Sequence, residues 1–373
     1  MHFKIGSQLF ADALKKVEKV VNSKHNIPIL QGIFLKVTEQ EIICIGSDST
    51  ESFRYHIPVG EHVHVITPGT TVLPKQIIDI TKKLKKDLEL QLRDCNLTIK
   101  YGKKSEFNLN TFDPEEYPRL PKFDIDSPTL TLKGTDFNSL VKKTAFAASD
   151  SEIRPLLQGV HLITENNCMK WVCTDSHRLS QVTTKIDHNN PIKLVIPAKS
   201  LDRLVKTFNL QEDVRVYCES DNQVIFKNGN LFFYSRLLEG NYPDTSRLIP
   251  NDFKAEMKIN RKELLEGLDR ISGLANGVDG GSGVVKLHVN GVATITTHQS
   301  QIGKGIEAIE YEELTGEDDF TISFAANYMI DALKAIDDDV VNFKYQGNAR
   351  PFLITPTSSE FEETQLILPV RTM

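Results

Sequence analysis

The sequence predicts an α+β protein made of three copies of one unit, with mostly antiparallel sheets and helices on one face of them. Three observations predict it. Pro28-Ile29-Leu30-Gln31-Gly32 recurs as Pro155-Leu156-Leu157-Gln158-Gly159, an offset of 127 residues. The same ungapped offset carries Phe10 onto Phe137, Leu14 onto Val141, Lys15 and Lys16 onto Lys142 and Lys143, Leu35 onto Leu162, and Asp48 onto Asp175. Twice that offset places Lys4-Ile5 on Lys258-Ile259, Phe10 on Leu264, Leu14 on Leu268 and Val17 on Ile271. A repeat of this kind decides the architecture before any motif does. Short apolar-alternating segments at hairpin spacing, interrupted twice per copy by helical patterns, complete the argument for α+β.

Each unit opens with a short strand. A helix follows, with apolar residues at i, i+4 and i+7: Phe10, Leu14, Val17 and Val21 in copy one. Two alternating strands come next, Ile33 to Val37 and Ile42 to Ile45. A second helix is expected over Lys75 to Leu84, Ala198 to Phe208 and Ala325 to Ile336. Further strands close the unit, as in Val214 to Tyr217 and Gln223 to Phe226. Boundaries fall near Lys122–Pro128 and Pro250–Asp252, which divides the chain into domains 1–125, 126–250 and 251–373.

Composition narrows the class. A chain of 373 residues accommodates two or three domains, and 40% hydrophobic with 25% charged residues is the balance of a soluble globular protein. No apolar run reaches the ~20 residues of a membrane helix. The first residues, Met1 to Gly6, lack the pattern of a signal peptide. Five cysteines without CxxC spacing are expected to be buried thiols of a reducing cytoplasm, not a disulfide frame or a zinc site.

The motifs that would carry catalysis fail on inspection. Asp175, Ser176 and His177 are chain neighbours, whereas the members of a catalytic triad converge from separate segments. Ser139-Leu140-Val141-Lys142 fits S-x-x-K, but no S-D-N or K-T-G accompanies it. The glycine-rich run Gly277 to Gly283 precedes a strand and lacks the G-K-S/T of a phosphate loop. Asp337-Asp338-Asp339 has no calcium-loop spacing. The sequence therefore predicts no enzyme, no metal and no cofactor, and favours a binding or structural role.

Charge is unevenly spread. The formal net charge is −6, divided as +2, +1 and −9 over the three copies. Tight gripping of nucleic acid usually requires a basic protein. Basic clusters nonetheless recur at equivalent places in copies one and two: Lys15, Lys16, Lys19 and Lys24, then Lys142 and Lys143.

The most distinctive segments are Thr174-Asp175-Ser176-His177-Arg178-Leu179, Leu238 to Asp244, and Leu366-Ile367-Leu368-Pro369-Val370-Arg371, with Ile27-Pro28-Ile29-Leu30 after Lys24. In these the chain resembles the bacterial DNA sliding clamps, the beta subunits of the replicative DNA polymerase. The resemblance runs along the whole chain. It implies a head-to-tail homodimer of three-domain chains, a ring whose sheets form the outer wall and whose helices line a hole threaded by duplex DNA. Enclosure needs no tight contact, which accommodates the acidic body.

The resemblance also implies residue roles. A cleft on the middle domain, closed by the end of the chain, takes short peptides from the replicative polymerase, the clamp loader and other partners. Its walls would be Leu157, Thr174, Ser176, His177, Leu179, Pro243, Leu248, Leu366, Leu368, Pro369 and Val370, with Arg154, Arg178 and Arg371 nearby. Leu179 and Leu368 are expected at the floor, His177 and Arg178 at the rim. Lys15, Lys16, Lys24, Lys142 and Lys143 would face DNA without reading its sequence. Phe107 and Leu109 of one chain would meet Leu274 of the other. Ser176 stands where the family usually has glycine, which leaves partner preference open and admits a divergent second clamp in the same cell. Two other classes stay open on the residues alone: a three-domain hydrolase, and a monomeric peptide-binding scaffold.

Overall fold

Phe10, Leu14 and Val17 are fully buried on helix α1, Ser7–Val17, and the rings of Phe3 and Phe10 meet edge-on at 6.2 Å. The apolar stripe was expected to stay helical to Val21. The chain instead tightens into a 3₁₀ turn over Glu18–Val20 and is extended at Val21. The strand Glu41–Ser47 passes against this end of the helix. A Cβ on Gly46 would lie 2.2 Å from the Val17 carbonyl oxygen, so only glycine permits the approach. The other helices are α2 Gln76–Thr81, α3 Gly134–Thr144, α4 Ala198–Val205, α5 Arg261–Ala275 and α6 Ala326–Ala335. The second helix of each copy is thus shorter at its ends than its apolar pattern suggested.

The computed structural model describes residues 1–188, 190–220, 222–275, 283–297 and 303–371. Most of the glycine-rich run at 277–283 lies outside the described residues. The chain divides into two compact units, Met1–Asn138 with Arg203–Leu237, and Ser139–Asp202 with Leu238–Met373. The first unit holds a five-stranded and an eight-stranded sheet, the second a nine-stranded and a four-stranded sheet. Every described strand pairing is antiparallel, as the hairpin spacing predicted. In the second unit α5 and α6 supply Leu264, Leu268, Ile271, Met329 and Leu333 to a core shared with strands from both sheets.

The large sheets run across the sequence repeats. In the first unit, Leu231–Arg236 of copy two pairs with Glu51–Pro58 of copy one, from Leu231 opposite Tyr55 to Ser235 opposite Glu51. In the second, Arg178–Lys185 of copy two pairs with Glu362–Ile367 of copy three, from Arg178 opposite Ile367 to Thr183 opposite Glu362. The cysteines are all free, but only Cys44 and Cys173 are buried; Cys95 is exposed, and Cys168 and Cys218 are half-buried. Burial pushes the Cys44 thiol up to about 12.

Candidate functional site

The segment 174–179 is a tight turn entering a strand. The Asp175 carboxylate accepts the backbone N–H of His177 at 2.8 Å and of Arg178 at 2.9 Å. The Thr174 hydroxyl donates to the Arg178 carbonyl at 2.6 Å. These bonds hold Ser176 at φ +80°, in the left-handed region that glycine occupies freely. The glycine usual in the resembled family thus corresponds to a backbone demand, which serine meets under strain. Its hydroxyl is also 3.0 Å from the Arg154 guanidinium, which donates to it. Ser176→Gly should leave urea stability within about 1 kcal/mol of the parent. Relief of strain is offset by the larger chain entropy of glycine. A loss well beyond that would mean the Arg154 bond, not backbone strain, governs the turn.

Below the turn lies an apolar cluster of Val172, Leu179, Leu353 and Leu366, with Tyr242, Ile249 and Phe253 packed on it. Tyr242 accepts the Thr174 N–H at 3.2 Å and its ring lies 4.8 Å from that of His161. Burial, with Lys193 and Lys170 adding to it, pushes His161 down to about 4, so its imidazole is neutral at physiological pH. Leu157 is buried on the 3₁₀ turn Pro155–Gln158. Leu248 and Leu368 are large apolar residues left 51% and 37% exposed. The chain end is tied down by two backbone bonds: Leu368 N donates to His177 O at 2.9 Å, and Val370 N to Ser323 O at 2.7 Å. Pro243 and Arg371 are exposed, and Pro369 is half-buried. The structure therefore brings 174–179, Tyr242 and 366–370 together.

Arg178 departs from its expected place on the rim. Its side chain donates to Asp175 at 3.1 Å, to Asp331 at 2.5 Å and to the Phe146 carbonyl at 2.8 Å. The guanidinium also lies 4.7 Å from the Tyr328 ring centroid. With its donors engaged, it ties the turn to α6. His177 is exposed and stacks on the same Tyr328 at 6.3 Å. The sequence reading missed Tyr328 and Asp331, since nothing in the helical pattern of α6 marks them as neighbours of a turn 150 residues earlier.

The lysine set needs one correction. Lys15, Lys24 and Lys142 are exposed, and Lys16 is half-buried with its ammonium 4.4 Å from the Tyr55 ring centroid. Lys143 is only 2% exposed and cannot touch phosphate. Consecutive helical residues point about 100° apart, so the partner of an outward Lys142 turns inward. There its ammonium meets Glu363 at 2.8 Å and Asp337 at 3.0 Å. Burial raises the Glu363 carboxyl above the usual carboxylate range, although Lys143 pulls the other way. Lys142 is itself paired with Asp337 at 2.8 Å.

Phe107 and Leu109 are half-buried on Ser105–Asn110, an edge strand of the five-stranded sheet. Leu274 is half-buried near the end of α5. The strand Ile306–Ile309 is an edge of the four-stranded sheet and leaves Ile306 64% exposed, a feature the sequence reading did not single out. Among the described residues no group of acidic, cysteine or histidine side chains is arranged to hold a metal, and no helix is long and apolar enough to cross a membrane.

Repeated α+β units joined by continuous antiparallel sheets define a fold of the DNA-clamp type. Solved structures agree: the DNA polymerase III beta chain of Streptococcus pneumoniae TIGR4 and the sliding clamp of Bacillus subtilis each superpose with a TM-score of 0.94, at 35% and 38% identity over the full length of both chains. The beta sliding clamp of Bacillus subtilis strain 168 is 39% identical over 386 aligned residues, all of each chain. Residues 1–121, 131–244 and 246–371 match the N-terminal, central and C-terminal domains of the DNA polymerase III beta subunit. The chain belongs to that family, the beta sliding clamps.

Proposed function

We propose that two copies of this chain close head to tail around duplex DNA, and that the ring tethers the replicative polymerase and other replication or repair proteins through the cleft at 174–179 and 366–370. It acts as a processivity factor and not as an enzyme. The observation that carries the reading is the three-fold repeat whose sheets continue across the repeat boundaries. A ring needs such a wall, and membership of the clamp family over the whole length supports it. The division at 125 and 250 follows from the repeat, and a cytoplasmic location from the work on DNA.

The open edge at Ser105–Asn110 suits pairing with copy three of a second chain. Sheet edges left unpaired invite a partner. Light scattering at micromolar concentration should give about twice the 42.0 kDa chain mass; a monomer would refute the ring. Phe107→Asp should shift the mass toward the monomer.

On DNA, Lys15, Lys16, Lys24 and Lys142 would touch phosphate without reading bases. With two phosphates neutralised at once, the logarithm of affinity should fall with the logarithm of salt at a slope of about −1.8. Indifference to salt, or a strong preference for one sequence, would remove these lysines from the lining. Lys143→Gln should leave the slope unchanged.

A further inference from the structure

Copy one repeats several features that lie beside the cleft of copy two, and one of them, the ring pair, lines a cavity of its own. Asp48 accepts the backbone N–H of Thr50 at 2.9 Å and of Glu51 at 2.7 Å, as Asp175 does for His177 and Arg178. Ser49 sits at φ +72°, as Ser176 does at +80°. Tyr117 lies on Phe34 with centroids 5.3 Å apart and planes at 35°; Tyr242 lies on His161 at 4.8 Å and 33°. Each copy also enters this region through the matching 3₁₀ turn, Pro28–Gln31 or Pro155–Gln158.

Between the segment 114–120 and one face of the eight-stranded sheet, copy one has an open pocket of about 420 Å³. Phe34, Ile45 and Tyr117 give it an apolar lining, and Lys36, Arg54 and Arg119 bring three cations to it against one carboxylate, Glu115. Among the described residues none of the three cations has an ion-pair partner. Arg54 donates through Nη1 to the Tyr234 hydroxyl at 3.4 Å and lies over the Phe232 ring at 5.5 Å, while its Nε is buried without a hydrogen-bond partner. A protein does not normally leave a guanidinium donor buried and unused.

We propose that this cavity is a second peptide-binding cleft, taking an acidic segment in which carboxylates flank one aliphatic side chain. The aliphatic group fills the apolar lining, and the carboxylates meet Lys36 and Arg119 at the mouth and Arg54 within. A peptide suits the site better than nucleic acid. Tyr117 is 5% exposed and Phe34 lies on its ring, so Tyr117 offers no open platform for a base. The likeness to copy two rests on the reading of the copy-two cleft, whereas the cavity and its three cations belong to copy one.

The test uses the full chain and a fluorescein-labelled peptide, Gly-Glu-Leu-Glu-Gly, with Gly-Gln-Leu-Gln-Gly as control, read by fluorescence anisotropy. Lys36 and Arg119 are exposed, so reversing both charges (Lys36→Glu with Arg119→Glu) spares the fold. The glutamate peptide should bind at least tenfold more tightly than the control. Its binding should weaken at least tenfold in the double variant and with rising salt, and stay unchanged in Leu368→Ala. Equal affinity for the two peptides, or no binding of either, would overturn the proposal. So would a loss of binding in Leu368→Ala with none in the double variant, which would place the peptide in the copy-two cleft. Displacement of the peptide by a twelve-nucleotide dT strand whose own binding needs Lys36 and Arg119 would make the cavity a nucleic-acid site and overturn it too.

Discussion

Lys143→Ala should destabilise the second unit by about 3–5 kcal/mol, the usual cost of leaving a buried charge without its partner. The Glu363 side chain has no exposed surface, and the Lys143 ammonium is its cationic partner, 2.8 Å away. Gln365 donates to the same carboxylate at 2.9 Å and to the Lys143 carbonyl at 3.2 Å, so the network also fixes backbone. The measurement is the urea midpoint of the variant at constant slope. The double change Lys143→Met with Glu363→Leu should recover most of the loss, because replacing both charges by apolar groups removes the desolvation cost along with the attraction. A single variant within about 1 kcal/mol of the parent would mean that Glu363 takes up a proton when Lys143 is gone, or that water reaches it.

Leu368→Ala should weaken a peptide from the tail of the cell's replicative polymerase by about 5- to 150-fold. Full burial of a leucine side chain by the bound peptide contributes about 1–3 kcal/mol, at tenfold per 1.4 kcal/mol. Leu368 is 37% exposed in the free chain and lies just beyond the strand Glu362–Ile367, so the fold has little to lose. Its backbone bond to His177 does not depend on the side chain. Peptide anisotropy and light scattering on the same variant separate the outcomes. Unchanged affinity in an intact dimer would move the site elsewhere, and loss of the dimer would make the chain end structural.

Much of this was legible in the sequence because it is local. The recurrence of Pro28–Gly32 at Pro155–Gly159 and of Asp48 at Asp175, with the apolar stripe of α1, shows in the residues themselves, and the turns these segments form depend on residues within about one turn or hairpin of each other. Even Ser176 has a precedent in the chain, since Ser49 adopts the same backbone in copy one. What stayed hidden is set by distance in the chain. No local pattern announces that Arg178 will reach Asp331, or that the strand after it will pair with 362–367. The two lysines of α3 look alike in sequence, and only the acidic pair from copy three decides that Lys143 is structural. The cavity of copy one has no signature in the sequence for a related reason: Lys36, Arg54 and Arg119 come from three separated segments.

The strand pairings that cross between repeats set a limit on dissection. A chain stopped near residue 250 would strip Arg178–Lys185 of its neighbour on one side, and one begun near 126 would do the same to Leu231–Arg236. Either fragment would present a long row of unused backbone donors and acceptors beside apolar side chains, the template on which chains aggregate. The repeat seen in the sequence is thus not the unit in which these sheets close, and one copy expressed alone is expected to be insoluble.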